Sequence, residues 1–236
     1  MSETTPADPP PDEGEASYNR NRVIALSDGV CAIATTLLGF GLVPHIADAV
    51  TGRELVRQLL ELWPQLVAYL LSFLVIGRFW DYHRTFFRYI YLIDGRVVWT
   101  NMAVLLWITV IPATAALLGS HWQEPAALVL YAVNLLLVTA SLGVLWQYVS
   151  SAGYLRREGA HARTSRYVKR YVVVSVLGFA LAVLTAFVSP PVSLALVFLT
   201  TVLARVLARR ILVSGLTSEH GPPSSPRGRD AHGDDI

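Results

Sequence analysis

The chain is 236 residues long, 53% hydrophobic and only 15% charged, with a mean hydropathy of +0.47, which excludes an ordinary soluble globular domain. Its net charge is +2, and the basic residues fall between long apolar runs instead of along one face, which excludes a nucleic-acid partner. A lone cysteine, Cys31, excludes an intramolecular disulfide and any cysteine-based metal cluster.

Residues 1–18 are rich in proline and carry Glu3, Asp8, Asp12, Glu13 and Glu15, so they read as a disordered tail and not as a cleavable signal peptide. Apolar runs of membrane length follow at about Val23 to Val43, Pro64 to Phe79, Val97 to Leu118, Ala126 to Val149, Tyr171 to Val188 and Val192 to Leu212. The second passes without a break into Arg78-Phe79-Trp80-Asp81-Tyr82-His83-Arg84, so its helix is expected to continue beyond the apolar run. Residues 215–236, with Gly, Pro, Ser and mixed charges, read as a second disordered tail. The fold class expected is therefore an all-α membrane protein, with six transmembrane helices between residues 19 and 214.

Charge sets the orientation. Arg20, Arg22, Arg84, Arg88, Arg96, Arg156, Arg157, Arg163, Arg166, Lys169, Arg170, Arg209 and Arg210 fall on one side of a six-span chain, and Arg53 and Arg57 on the other. The positive-inside rule then places both termini and both tails in the cytoplasm. The near-exclusive use of Arg over Lys fits a GC-rich bacterium, and hence its inner membrane. Ser189-Pro190-Pro191 forms a tight external hairpin, and Trp63, Trp122 and Tyr154 stand at span ends, where aromatic rings anchor at headgroups. No repeat relates the six spans, so pore symmetry requires several copies of the chain.

The first span carries the chemistry. Arg22, Ser27 and Asp28 place ionisable groups and a hydroxyl in the opening turns of a membrane helix, where such groups need partners. Two readings of Asp28 stay open: a structural polar network, or a carboxylate that binds ions or relays protons. At about 100° per residue, Ile33, Thr36, Leu37 and Phe40 share one stripe, with Arg22 near it and Asp28 about 140° away. By itself that stripe reads as buried core.

Arg22-x-x-x-Leu26-Ser27-Asp28, followed by Gly-Val-Cys-Ala-Ile-Ala-Thr-Thr-Leu-Leu, resembles the first helix of the endosomal and lysosomal potassium channel family (transmembrane protein 175) and its bacterial relatives. Trp80-x-x-His83-x-x-x-Phe87 and the pattern of Asn101, Leu105-Leu106, Pro112 and Leu117-Leu118-Gly119 extend the resemblance over the first half of the chain. Leu26 departs from the family's Phe, removing an aromatic contact but no charge. The resemblance implies a homotetramer conducting potassium ions, its pore lined by the first helix of each subunit. Ile33, Thr36, Leu37 and Phe40 would then be the constriction and filter. It also implies a structural network of Arg22, Ser27, Asp28, Trp80 and His83.

Thr36-Leu37-Leu38-Gly39-Phe40-Gly41 is superficially like a carbonyl selectivity filter but has one residue too many and ends a full span. Pro112 would kink the third span. His83 has no second ligand at metal spacing, and neither a metal nor a cofactor is expected beyond the permeant ion. Without Gly-x-Ser-x-Gly, His-Glu-x-x-His or paired intramembrane aspartates, no enzyme is expected. The function expected is passive, potassium-selective conduction; the alternative is a secondary transporter or proton pathway using Asp28.

Overall fold

The structure is a computed structural model and describes residues 13–42, 52–90, 93–152 and 158–217. It is all-helical, with no strand among the described residues. The helices are α1 (Glu13–Phe40), α2 (Gly52–Glu61), α3 (Trp63–Phe87), α4 (Gly95–Ser120), α5 (Pro125–Ser151), α6 (Glu158–Ala186) and α7 (Pro190–Thr217). Among the described residues, five are long and apolar enough to cross a membrane, over Tyr18–Phe40, Trp63–Phe87, Gly95–Ser120, Pro125–Ser151 and Val168–Ala186. The apolar stretch Pro190–Leu203 of α7 is shorter. The chain is a multi-pass membrane protein.

Two boundaries differ from the sequence expectation. α1 begins at Glu13, so residues 13–18 of the expected tail are helical, while residues 1–12 lie outside the described residues. α7 likewise runs to Thr217, and residues 218–236 lie outside them, as does Tyr154. α2 is an additional helix. Its 10 residues reach only about 15 Å at 1.5 Å each, half of a hydrocarbon core, so a search for spans passes over it. Val56, Leu59 and Leu60 lie exposed on one side of it, and Arg57 pairs with Glu61 at 3.5 Å on another.

The chain's own residues set the helix ends. Asp94 caps α4, its carboxylate accepting from the Val97 backbone N–H at 2.8 Å. Pro64 and Pro125 occupy the first turns of α3 and α5, where a missing N–H costs nothing. α4 passes through Pro112 as one continuous helix. Proline leaves that ladder incomplete, and the buried Asn134 of α5 lies against it. With its amide oriented to satisfy its neighbours, Asn134 donates to the Trp107 carbonyl at 3.0 Å and accepts from the Ile111 N–H at 3.2 Å.

Helices adjacent in sequence from α3 to α7 pack side by side, while α1 packs against α3 and α4. Lipid supplies no hydrophobic drive between helices, so close approach depends on small residues and interhelical hydrogen bonds. A Cβ on Gly178 of α6 would lie 2.2 Å from Thr200 Oγ1 of α7, and Ser193 Oγ donates to the Ala182 carbonyl at 2.7 Å. The two ends of the bundle differ in chemistry. At one, Trp63 and Trp122 meet edge to face with centroids 5.0 Å apart. At the other, where Tyr148 donates to Asp94 and Arg20 Nη1 donates to the Ile90 carbonyl at 3.3 Å, the exposed Arg84, Arg88, Arg96, Lys169 and Arg170 collect.

Candidate functional site

α1 has two faces. Val23, Ser27, Cys31, Ala34 and Leu38 recur every three or four residues and are buried against α3 and α4. Ser27, 1% exposed on this inner face, donates to the Val23 carbonyl at 2.9 Å and accepts from Asn101 Nδ2 of α4 at 3.1 Å. Asn101 Oδ1 lies 2.7 Å from His83 Nε2 of α3. An amide oxygen only accepts, so Nε2 carries the proton and the bonds run in one direction, from His83 through Asn101 and Ser27 to the α1 backbone. His83 also stacks on Phe87 with centroids 4.3 Å apart. Three helices are thus joined by side chains that are almost wholly buried.

A second tie lies beside the first. Trp80 Nε1 donates to Asp28 Oδ1 at 2.8 Å, and Arg84 lies 4.9 Å from the Trp80 ring. Asp28 is half-buried, and among the described residues no cation comes within ion-pair distance of it. The structure therefore brings Ser27, Asp28, Trp80 and His83 into two adjacent hydrogen-bonded groups and leaves Arg22 outside both. Arg22 is exposed, its guanidinium 5.7 Å from the Tyr18 ring. Asn101 completes the network, and sequence reasoning had not included it. The signal available was a carboxamide inside an apolar span, which needs a partner as much as Asp28 does.

On its other face α1 presents Leu26, Gly29, Ile33, Thr36, Leu37 and Phe40. Ile33 is 61% exposed and Phe40 69%, and nothing comes within 4 Å of a Cβ built on Gly29 or Gly39. Thr36 Oγ1 donates to the Ile33 carbonyl at 2.8 Å, so its lone pairs remain free. Among the described residues nothing buries this stripe, although Leu26 and Leu37 are about half covered by their neighbours. Among the described residues, no group of three or more His, Cys, Asp or Glu side chains could hold a metal ion.

Residues 22–112, which contain this stripe and both hydrogen-bonded groups, match the model of the endosomal/lysosomal potassium channel TMEM175. A potassium channel of Streptomyces collinus is 33% identical over 178 residues, covering 74% of this chain and 85% of that one. The chain belongs to the TMEM175 family. A potassium channel of Chamaesiphon minutus is 32% identical over 151 residues, 63% of this chain and 74% of its own. The crystal structure of a lysosomal potassium-selective channel TMEM175 homolog from Chamaesiphon minutus superposes with a TM-score of 0.68 at 25% identity, covering 81% of this chain and 98% of that one. The endosomal/lysosomal proton channel TMEM175 of Gallus gallus is 28% identical over 181 residues, 75% of this chain but only 35% of the longer vertebrate protein. The segment matched to the TMEM175 model ends at Pro112, so the features resembling the family are concentrated in α1, α3 and the first part of α4.

Proposed function

We propose that this chain is one subunit of a homotetrameric potassium channel of the bacterial inner membrane, with α1 of each subunit lining the pore. The observation that carries the reading is the uncovered stripe of α1: a membrane-length helix in a TMEM175-family chain presents Ile33, Thr36, Leu37 and Phe40 outward while its opposite face is fully packed. Four copies around an axis would bury that stripe against itself and turn each position into a ring. α7 is the sixth span in this reading, and the excess of Arg at one end puts both termini in the cytoplasm.

Conduction would then be passive, through a constriction made mainly of branched apolar side chains. Such a ring replaces none of an ion's hydration shell, so it discriminates by size and by the cost of partial dehydration. The Thr36 hydroxyl oxygens, whose hydrogens are committed to the Ile33 carbonyl, would offer lone pairs on the next turn. The two ties from α1 to α3 and α4 would hold each pore helix in register. No catalytic step and no resident cofactor enter this reading.

A proton pathway is the second reading, and the half-buried carboxylate of Asp28, which has no cationic partner within reach among the described residues, favours it. Purified protein in liposomes separates the two. Rapid electrogenic potassium flux exceeding sodium flux, from particles of tetrameric mass, is the expected result. Proton flux that exceeds potassium flux and disappears in Asp28→Asn would favour the proton pathway. Slow saturable exchange, or a monomer that conducts, would overturn the channel reading.

A further inference from the structure

Arg78 of α3 is a cation inside a membrane-spanning helix, and no described carboxylate lies within ion-pair distance of it. Its guanidinium stands 5.5 Å from the centre of the Tyr171 ring on α6. Tyr171 in turn stacks on Tyr82, one turn further along α3, with centroids 4.4 Å apart. The side chain is half-buried, and its Nε is buried without an acceptor. An aromatic face attracts a guanidinium but does not neutralise it, so this charge still needs an anion.

Depth in the membrane suggests where that anion lies. At ~1.5 Å per residue, Arg78 is about 22 Å along α3 from Trp63, which leaves it about 8 Å short of the far boundary of a ~30 Å hydrocarbon core. An arginine side chain spans most of that distance by extending toward the headgroups. Of the described carboxylates at this end, Asp28 is held by Trp80, Asp81 is exposed and makes no ion pair among the described residues, and Asp94 is engaged with the α4 backbone and with Tyr148. Lys169 and Arg170, both exposed, immediately precede Tyr171.

We propose that Arg78 of α3, beside Tyr171 of α6, binds the phosphate of an anionic phospholipid. Arginine suits this ligand because its planar fork matches phosphate oxygens two at a time. Charge argues against a second copy of the chain as occupant. This end exposes Arg84, Arg88, Arg96, Lys169 and Arg170, so a second copy docked by symmetry would bring the same excess of cations. Phospholipid phosphates supply the opposite charge around the whole rim.

Native mass spectrometry of delipidated protein titrated with phosphatidylglycerol or phosphatidylcholine of the same acyl chains tests it. The wild type should hold phosphatidylglycerol on the order of ten times more tightly than phosphatidylcholine, and Arg78→Gln should lose most of that preference. Arg78→Lys should retain part of it, because a point cation still pairs with phosphate. Equal binding of the two lipids by the wild type would overturn the site without recourse to a variant. So would an Arg78→Gln protein that keeps the full preference, or one that dissociates into smaller species while its lipid binding is unchanged.

Discussion

The indole N–H of Trp80 points at the Asp28 carboxylate, 2.8 Å away, and ties the side of α1 to α3 at the level where Ser27 is already held by Asn101. Among the described residues, Asp28 thus has a hydrogen-bond donor without a cation. In a bilayer an interhelical hydrogen bond is worth about 0.6–1.7 kcal/mol. Trp80→Phe should therefore cost on that order in thermal stability while preserving ring packing. Asp28→Ala should do more harm to assembly than to ion preference, with detergent-extracted protein shifting from the proposed tetramer toward smaller species on size-exclusion chromatography with light scattering. An intact tetramer with altered ion preference would instead place Asp28 on the permeation path.

Asn101 is wholly buried and links His83 to Ser27, so Asn101→Leu removes both hydrogen bonds of the relay at once. The His83 Nε2–H is then left without an acceptor, at a cost of about 1–3 kcal/mol. The expected result is a lower melting temperature than that of Trp80→Phe, since Trp80 is partly exposed and His83 is not. Ser27→Ala, which leaves the His83–Asn101 bond in place, should be milder than Asn101→Leu. The reverse order would show that the relay contributes little to the packing of α1.

Much of α1 was readable from periodicity. Residues Val23, Ser27, Cys31, Ala34 and Leu38 recur at helical spacing and are the buried face, and the stripe through Ile33 and Phe40 is the opposite one. Periodicity alone cannot say which of two apolar faces is inside, and reading the Ile33 stripe as ordinary core would have reversed the helix. The family resemblance oriented it. Asn101 was hidden because the resemblance directed attention to residues on α1 and α3, and its partners lie 74 and 18 positions away in sequence. α2 was hidden because its apolar residues Val56, Leu59 and Leu60 are diluted by Arg53, Arg57 and Glu61 in any window long enough to detect a span. The start of α1 at Glu13 was masked by proline and acidic composition, which signals disorder more strongly than helix.

Gly178 gives a stability prediction at a close approach of α6 to α7. A methyl group there would lie 2.2 Å from Thr200 Oγ1 and 2.5 Å from Cγ2, and neither can move far on so short a side chain. Gly178→Ala should destabilise by about 1–3 kcal/mol through overpacking. Adding Thr200→Ala removes both outer atoms and should restore part of the loss. If the double variant is no more stable than Gly178→Ala, these two helices do not pack as described.

Topology has its own test, resting on the distribution of Arg. In a Cys31→Ser background, a cysteine at Ser165 should resist a membrane-impermeant thiol reagent in intact cells, and one at Thr51 should react. Both positions fall in connections between spans of the six-span reading. Labelling in the opposite sense would invert the orientation, and labelling of both would rule out an arrangement in which they lie on opposite sides.

The pore itself is tested at Ile33 and Thr36, which share the uncovered stripe of α1 but differ in chemistry. Ile33, 61% exposed in the single subunit, would form the narrowest ring of a tetramer, and its truncation to Ala should widen and wet that ring. Higher flux and weaker selectivity are expected. Thr36→Val keeps the side-chain shape but removes an oxygen whose hydrogen is already bound to the Ile33 carbonyl, so the helix loses one intrahelical bond and the proposed pore would lose a set of lone pairs. A potassium ion sheds water more readily than a sodium ion, and compensating oxygens matter most where dehydration is partial. Thr36→Val should therefore lower the potassium-to-sodium permeability ratio without abolishing conduction. Reversal potentials under bi-ionic conditions read this ratio directly. If Ile33→Ala and Thr36→Val both leave conductance and selectivity at wild-type values, the stripe faces lipid or another helix, and α1 is not the wall of the pore.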